Sequence, residues 1–284
     1  MPVQIRRAVA ADAEACGRVM HAAFRGVAER HGFEPDILSD EVGAGLATTL
    51  IASPNTFVVV AETDGQIIGS NFLHLGDPIR AIGPITVDPP QQRAGVGRKL
   101  MEAALEYAGS GSPVRLCGDA FNTQSVGLYA SLGFEIKEPL LLMQGRCRDA
   151  TGDARLMTEN DIPACTNLCD AVYGTTRSVE LGEALQAFRP VLVERQGVVS
   201  GYMSAPNLWL MNHGVGQSER DMRALIAGAS GASQEPVSFL LPVRQASLFR
   251  WCLSQGLRVA KPMALMALGD YSEPKGAWFP SVFY

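Results

Sequence analysis

Several features are scarce in this chain of 284 residues, and each scarcity bears on a class of protein. Positive charge is short: 24 Lys and Arg stand against 29 Asp and Glu, a formal net charge of −5. A surface built to neutralise phosphate backbones carries the opposite balance, so no nucleic-acid partner is expected, whereas a cationic amine is compatible with it. Long apolar runs are missing as well. Although 47% of the residues are hydrophobic, no run is long enough to span a bilayer, and the start M-P-V-Q-I-R-R-A-V lacks a basic segment followed by an apolar one. The expectation is a cytoplasmic protein with no membrane partner. The four histidines, His21, His31, His74 and His213, form no ligand spacing, and the six cysteines show no disulfide framework. No metal is expected. Cys165 and Cys169 fall on one helix face as small core residues. The length suits two ordinary domains.

What the chain does have is a glycine-rich turn between a strand and a helix. Ala81 to Val87 (A-I-G-P-I-T-V) reads as a buried strand, and Pro89-Pro90 ends it because proline has no amide donor. From Val96 onward, Val96, Leu100 and Ala104 recur at helical spacing, so the helix begins within Gly95-Val96-Gly97. The first amides of a helix have no intrahelical partner, and glycines keep no side chain in front of them. The result is a cradle for an anionic, phosphorylated ligand, with Arg93, Arg98 and Lys99 at the same end.

Spacing narrows the ligand. A P-loop needs four residues between its glycines and then Gly-Lys-Ser/Thr, which is not found. A dinucleotide fingerprint needs Gly-x-Gly-x-x-Gly directly after the strand; here Leu100 stands at the third glycine position and seven residues separate Val87 from Gly95. A second stretch follows the next buried strand, Pro113 to Gly118: Asn122-Thr123-Gln124-Ser125-Val126-Gly127-Leu128-Tyr129-Ala130-Ser131-Leu132-Gly133-Phe134. Asn122 and Tyr129 are two helical turns apart, on one side and about 10 Å from each other along the axis. Taken singly, Asn122 reads as a helix cap and Tyr129 as a core aromatic. Gly133 suits a left-handed C-terminal cap.

Together the two stretches resemble the signatures of the GNAT acetyltransferase superfamily. Gln92-Arg93-Ala94-Gly95-Val96-Gly97 is similar to its Gln/Arg-x-x-Gly-x-Gly/Ala loop, and Asn122 to Phe134 to its Asn-x-x-Ala-x-x-Leu-Tyr-x-x-x-Gly-Phe segment, with Ser125 in the small-residue place. The resemblance implies an α/β (α+β) fold, a mixed and mostly antiparallel sheet flanked by helices. It also implies an acetyl-coenzyme A-dependent N-acetyltransferase acting on a small-molecule primary amine by direct attack in a ternary complex. By the same resemblance, Gln92, Arg93, Gly95, Val96, Gly97 and Arg98 take the pyrophosphate. The strand around Ile85 and Val87 and the side chain of Asn122 hold the pantetheine, and Tyr129 protonates the departing thiolate. An unperturbed tyrosine pKa near 10 suits that role. Gly83-Pro84 stand where many relatives carry a carboxylate base, which leaves Asp119, Glu62, His74, Asp88 or a water for the acceptor's proton. Other readings are an acyl-coenzyme A sensor or scaffold without chemistry, another acyl donor, or a protein amine as acceptor. A homodimer is compatible with all of them.

The first part reads β-α-α-β-β-β-α-β-α-β, with an Asp-Gly hairpin at Asp64-Gly65. The pattern then returns. Arg6 aligns with Arg155, Asp12 with Asp161, Glu62 with Glu194, Gly69 with Gly201, and Ser131 to Phe134 with Ser254 to Leu257. The expectation is two GNAT-like domains, 1–146 and 154–284, joined by the polar stretch Gly145 to Asp153. In the second, the glycine loop is replaced by Gly216-Gln217-Ser218-Glu219-Arg220-Asp221, a capping-box pattern, while Asn122 and Tyr129 become Gln245 and Cys252. That copy is expected to lack the cofactor loop and to be structural. The aromatic tail Ala277 to Tyr284 either seals its sheet or lines an acceptor cleft.

Overall fold

The computed structural model describes residues 2–283; Tyr284, the end of the aromatic tail, lies outside the described residues. The chain runs β1 (Gln4–Arg7), α1 (Ala13–His31), α2 (Asp40–Ala52), β2 (Thr56–Thr63), β3 (Gln66–His74), β4 (Arg80–Val87), α3 (Val96–Ala108), β5 (Val114–Asp119), α4 (Thr123–Ser131) and β6 (Glu135–Gly145). The same order of elements then runs again. It comprises β7 (Arg155–Leu156), α5 (Ile162–Tyr173), α6 (Ser178–Ala187), β8 (Val191–Arg195), β9 (Val198–Met203), β10 (Gly214–Gly216), α7 (Glu219–Ala232), β11 (Val237–Pro242), α8 (Ala246–Ser254) and β12 (Arg258–Leu268), with β13 (Ala277–Phe279) added. No helix among the described residues is long and apolar enough to cross a membrane.

One compact unit holds the chain up to Gly76, Arg80–Val114 and Phe121–Phe134. Its strands lie in the order β1-β2-β3-β4, all antiparallel. The apolar run of β2 is explained by its two covered faces. Val58 and Val60 join Cys16 and Met20 of α1 and Ala47 and Leu50 of α2, whereas Val59 and Ala61 join Val96 and Leu100 of α3. Asp64 and Gly65 both have positive φ, 51° and 73°, the requirement of a two-residue type I′ hairpin. Gln196 and Gly197 repeat it in the second half at 53° and 77°.

The other unit holds Asp77–Ile79, Arg115–Ala120 and the chain from Glu135 onward. It contains the sheet β13-β10-β9-β8-β7 and the strand run β5-β12-β6-β11. β6 falls in 1–146 by sequence, yet it pairs antiparallel with β12 on one side and β11 on the other, both from the second half. β12 in turn neighbours β5. The strand that closes the repeated order in each half, β6 and β12, thus lies beside strands of the other half, and the two pair with Leu140 opposite Met263. The exchange is latched at both ends in the same way. Ala120 N–H donates to the carbonyl of Pro262 at 3.2 Å, and Val243 N–H to that of Pro139 at 3.0 Å. The residue before each proline makes an ion pair, Lys261 with Asp119 at 2.7 Å and Glu138 with Arg244 at 3.0 Å, with the signs reversed. Lys261 and Glu138 are buried, so each charge needs its partner.

The stretch expected to be a polar linker is fastened down instead. Cys147 N–H donates to Ser230 Oγ at 2.8 Å and Arg148 N–H to the carbonyl of Gln255 at 2.8 Å. Gly152 lies so close to α7 that an added Cβ would sit 2.4 Å from Gly228 N. Its glycine serves close approach rather than freedom of movement. The tail seals the second half: β13 pairs with β10, Trp278 and Phe279 are buried, and Val282 N–H donates to the carbonyl of Leu210.

A buried polar cluster ties this tail to α6. Ser281 Oγ donates to Glu180 at 3.0 Å and accepts from Arg177, which also pairs with Glu180. His213 Nδ1 lies 3.5 Å from Glu180, and its Nε2 lies 2.7 Å from the Tyr202 hydroxyl. Asp77 accepts from the first amides of α6, Val179 and Glu180, at 3.1 Å each. Burial, with Arg177 close by, holds His213 below the ordinary histidine range. Burial would raise Glu180, but Arg177 outweighs it and keeps this carboxyl below its ordinary value. Both shifts mean that the unfolded chain binds more protons than the folded one, so stability is present above the unfolded values and lost as pH falls. Denaturant midpoints are expected to drop between pH 7.5 and 5.5, through the ordinary histidine pKa of about 6.5. A midpoint that rises over this window contradicts a neutral His213.

Candidate functional site

The site begins where β4 ends. After Val87 the chain makes a short helical turn, Pro89–Gln91, and Gln92 folds back so that its Nε2 donates to the Val87 carbonyl at 3.1 Å. Arg93 and Gly95 both take left-handed backbone conformations, φ 68° and 81°. Gly95 is the N-cap of α3, and no side chain caps that helix. Val96 is buried with Leu100, which leaves only its backbone to the loop. A Cβ added at Gly95 would meet nothing within 4 Å. The open amides of α3 therefore face free space, the condition for receiving an anion. The Arg98 guanidinium is engaged elsewhere, 2.5 Å from Ser131 Oγ and 3.7 Å from Glu102, so its backbone N–H is what it offers the loop.

A cleft of about 610 Å³ opens beside this turn, lined by Arg30, His31, Pro89, Gln92, Arg93, Asn122, Thr123 and Gln124. Three cationic or titratable side chains and no carboxylate line it. Asn122 is the N-cap of α4: its Oδ1 accepts from Ser125 N–H at 3.3 Å. The capping role and a place in the cleft are thus both present. Tyr129 is buried, only 8% exposed, edge-on to Phe134 at 6.3 Å, and is not among the residues lining this cleft. Ile85 and Val87 are half-buried on β4, opposite Asn71 and Gly69 of β3. The residues that sequence reading passed over are Arg30 and His31. They stand at the end of α1 with no motif around them, and only the fold carries them to the cleft.

Of the groups considered as bases, Asp119, Glu62 and His74 are engaged by other residues. Asp119 belongs to the other unit, where Lys261 holds it at 2.7 Å in an ion pair rather than an aligned hydrogen bond. Glu62 is bound by Arg6 at 2.7 Å. His74 Nε2 lies 2.8 Å from the carbonyl of Gly83. Asp88 lines a different cleft, of about 770 Å³, with Arg18, His21 and Asp40. No group of three or more His, Cys, Asp or Glu suited to a metal ion occurs among the described residues.

The second half preserves the frame and changes the loop. Arg6 binds Asp12 and Glu62, each at 2.7 Å; Arg155 binds Asp161 at 2.8 Å and Glu194 at 2.6 Å. The strand register shifts just before each glutamate, between Ala61 and Glu62 and between Val193 and Glu194. At α7, however, Ser218 Oγ accepts from Asp221 N–H and donates to the Asp221 carboxylate. Asp221 is itself buried, bonded to Ser200 and paired with Arg195 at 3.2 Å. Gln245 is occupied by the backbone of Trp278, and Cys252 is fully buried where the first half has Tyr129.

Residues 22–134 match the profile of the family described as Acetyltransferase (GNAT) family. Mycothiol acetyltransferase of Clavibacter michiganensis subsp. michiganensis is 36% identical over 94 residues, 33% of this chain and 30% of that protein. The match thus spans less than a third of that relative's length. A solved protein from Pyrococcus horikoshii, with a provisional acetyltransferase assignment, has a TM-score of 0.79 at 16% identity, covering 99% of this chain and 94% of that one. The tandem GNAT protein from the clavulanic acid biosynthesis pathway has a TM-score of 0.59 at 11% identity, covering 95% of this chain and 100% of that one. At those identities the two structures speak to the fold: a mixed, mostly antiparallel sheet flanked by helices.

The left-handed start of α3 yields a direct expectation. Gly95→Ala forces a Cβ into φ 81° and is expected to cost about 1–2 kcal/mol of stability, measured by equilibrium denaturation. An unchanged midpoint contradicts that backbone conformation.

Proposed function

We propose that the first half of this chain, whose residues 22–134 match the GNAT acetyltransferase family, moves an acetyl group from acetyl-coenzyme A to the primary amine of a small molecule. The observation that carries the reading is the uncapped start of α3, open beside a cleft without carboxylates and lined by Gln92, Arg93 and Asn122. Such a surface fits a pyrophosphate and repels no part of it. In this reading the backbone from Gln92 to Arg98 receives the phosphates, and the β4 backbone around Ile85 and Val87 aligns the pantetheine with Asn122. The deprotonated amine attacks the thioester carbon, the C–S bond of the tetrahedral intermediate breaks, and the Tyr129 hydroxyl gives its proton to the departing sulfur. With Asp119 held by Lys261, the amine's proton goes to another group. The second half is structural: its helix α7 is capped from within and carries Glu219 and Asp221 in the first turn, which disfavours a second coenzyme.

The loop reads only the portion shared by all acyl-coenzyme A donors, so the experiment varies both partners. Thiol release is measured with acetyl-, propionyl- and succinyl-coenzyme A over primary amines that include polyamines, amino sugars and arylalkylamines. Release with acetyl-coenzyme A and at least one small amine is expected. Tight binding without release supports the sensor reading instead. Tyr129→Phe is expected to lower kcat about 100-fold while leaving acetyl-coenzyme A affinity unchanged. Full turnover in this variant removes Tyr129 from the chemistry.

A further inference from the structure

We infer that Arg30, together with Arg93, binds the 3′-phosphate of coenzyme A and makes the site selective for the coenzyme that carries it. The inference rests on the acyl-transfer reading above for the identity of the ligand, and adds a contact that the sequence motifs do not name. Besides its pyrophosphate, coenzyme A has a phosphate monoester on the ribose 3′-oxygen, with a charge of about −1.5 to −2 at neutral pH. In that reading the open amides of α3 take the pyrophosphate. The monoester needs donors of its own. The cleft has room for it: about 610 Å³ falls within the roughly 300–1,000 Å³ of sites that take a whole ligand, and a pyrophosphate fills only part of that.

Arg30 and Arg93 both line this cleft, and neither side chain has a hydrogen-bond or ion-pair partner among the described residues. The Arg98 guanidinium, by contrast, is bound to Ser131 and lies near Glu102. Arg30 stands in the last turn of α1, where a Cβ added at Gly26 would lie 3.7 Å from its Nη1 and 3.9 Å from Pro89 Cγ. The glycine thus leaves the guanidinium room beside the turn that follows β4. Arg93 holds φ 68°, a conformation that glycine adopts more readily, so its side chain rather than its backbone explains an arginine there. Thr123 and Gln124 also line the cleft, in the first turn of α4, a helix end that favours negative charge. His31 lies 5.1 Å from the Phe121 ring, which stacks on Phe33 at 4.3 Å, and Phe121 directly precedes Asn122. This aromatic cluster holds the end of α1 to the start of α4. No carboxylate lines the cleft, and two guanidinium forks match the geometry of a phosphate.

The test is calorimetric binding of coenzyme A and of 3′-dephospho-coenzyme A to the full chain and to its Arg30→Gln variant. The wild-type chain is expected to bind coenzyme A at least about 10-fold more tightly than the dephospho form, the size of a charge-assisted contact. Added salt should shrink that preference. In Arg30→Gln the preference should fall to about 3-fold or less, while affinity for 3′-dephospho-coenzyme A and the thermal midpoint stay unchanged. Arg30→Lys, which keeps the charge and loses the fork, should retain part of it. Equal affinity of the wild-type chain for the two forms overturns the assignment. So does an Arg30→Gln variant that weakens both forms equally, which would put Arg30 on the shared portion of the coenzyme. Either result leaves the acyl-transfer reading standing. If the wild-type chain binds neither form, that reading fails and the assignment falls with it.

Discussion

A helix leaves its first amides without partners, and whatever satisfies them decides what can bind there. In the first half of this chain, α3 starts on Gly95, which has no side chain to offer, in a left-handed conformation that turns the chain out of β4. In the second half, the helix at the equivalent point starts on Ser218, whose hydroxyl accepts one of those amides, with Glu219 and Asp221 adding negative charge. The two halves share a hairpin turn, an arginine ion-pair triad and a strand register shift. In the proposed reading, this difference in capping separates the half that holds a coenzyme from the half that does not.

The second half, proposed to be structural, shares its strand pairing with the first. β6 and β12 lie side by side, β12 next to β5 of the first half and β6 next to β11 of the second, and the latches at Pro139 and Pro262 pair the same kinds of group with reversed charges. An ordinary tandem repeat can lose a copy and keep a domain. Here, the loss of either half takes away a strand that the other half's β-structure contains. That gives a physical reason for a copy without a cofactor loop to persist as structure. It also explains why Asp119 is held by a lysine far away in sequence.

The glycine loop was legible because its chemistry is local: a proline stop, two glycines and a helical apolar row all fall within the sixteen residues from Pro89 to Ala104. The repeat was legible for a related reason, since Arg6, Asp12 and Glu62 recur as Arg155, Asp161 and Glu194, and the pairs they form are the same. The strand exchange was not. A strand such as Pro139 to Met143 is apolar in the same way whichever neighbour it has, so pattern alone assigns it to its own half. Nor was the tight fit of Gly152 against α7, because a glycine in a polar stretch reads as freedom until the opposing backbone is seen. His31 gave no signal at all: a lone histidine at an exposed helix end acquires meaning only when the fold brings it beside Asn122.

The most direct test of this account is the binding of acetyl-coenzyme A to the full chain by isothermal titration calorimetry, with two variants that exchange the capping logic. One site per chain is expected, unaffected by Ser218→Ala and lost in Gly95→Asp, which places a capping carboxylate over the α3 amides while circular dichroism shows the fold retained. Two sites per chain, or undiminished binding by a folded Gly95→Asp protein, would contradict it.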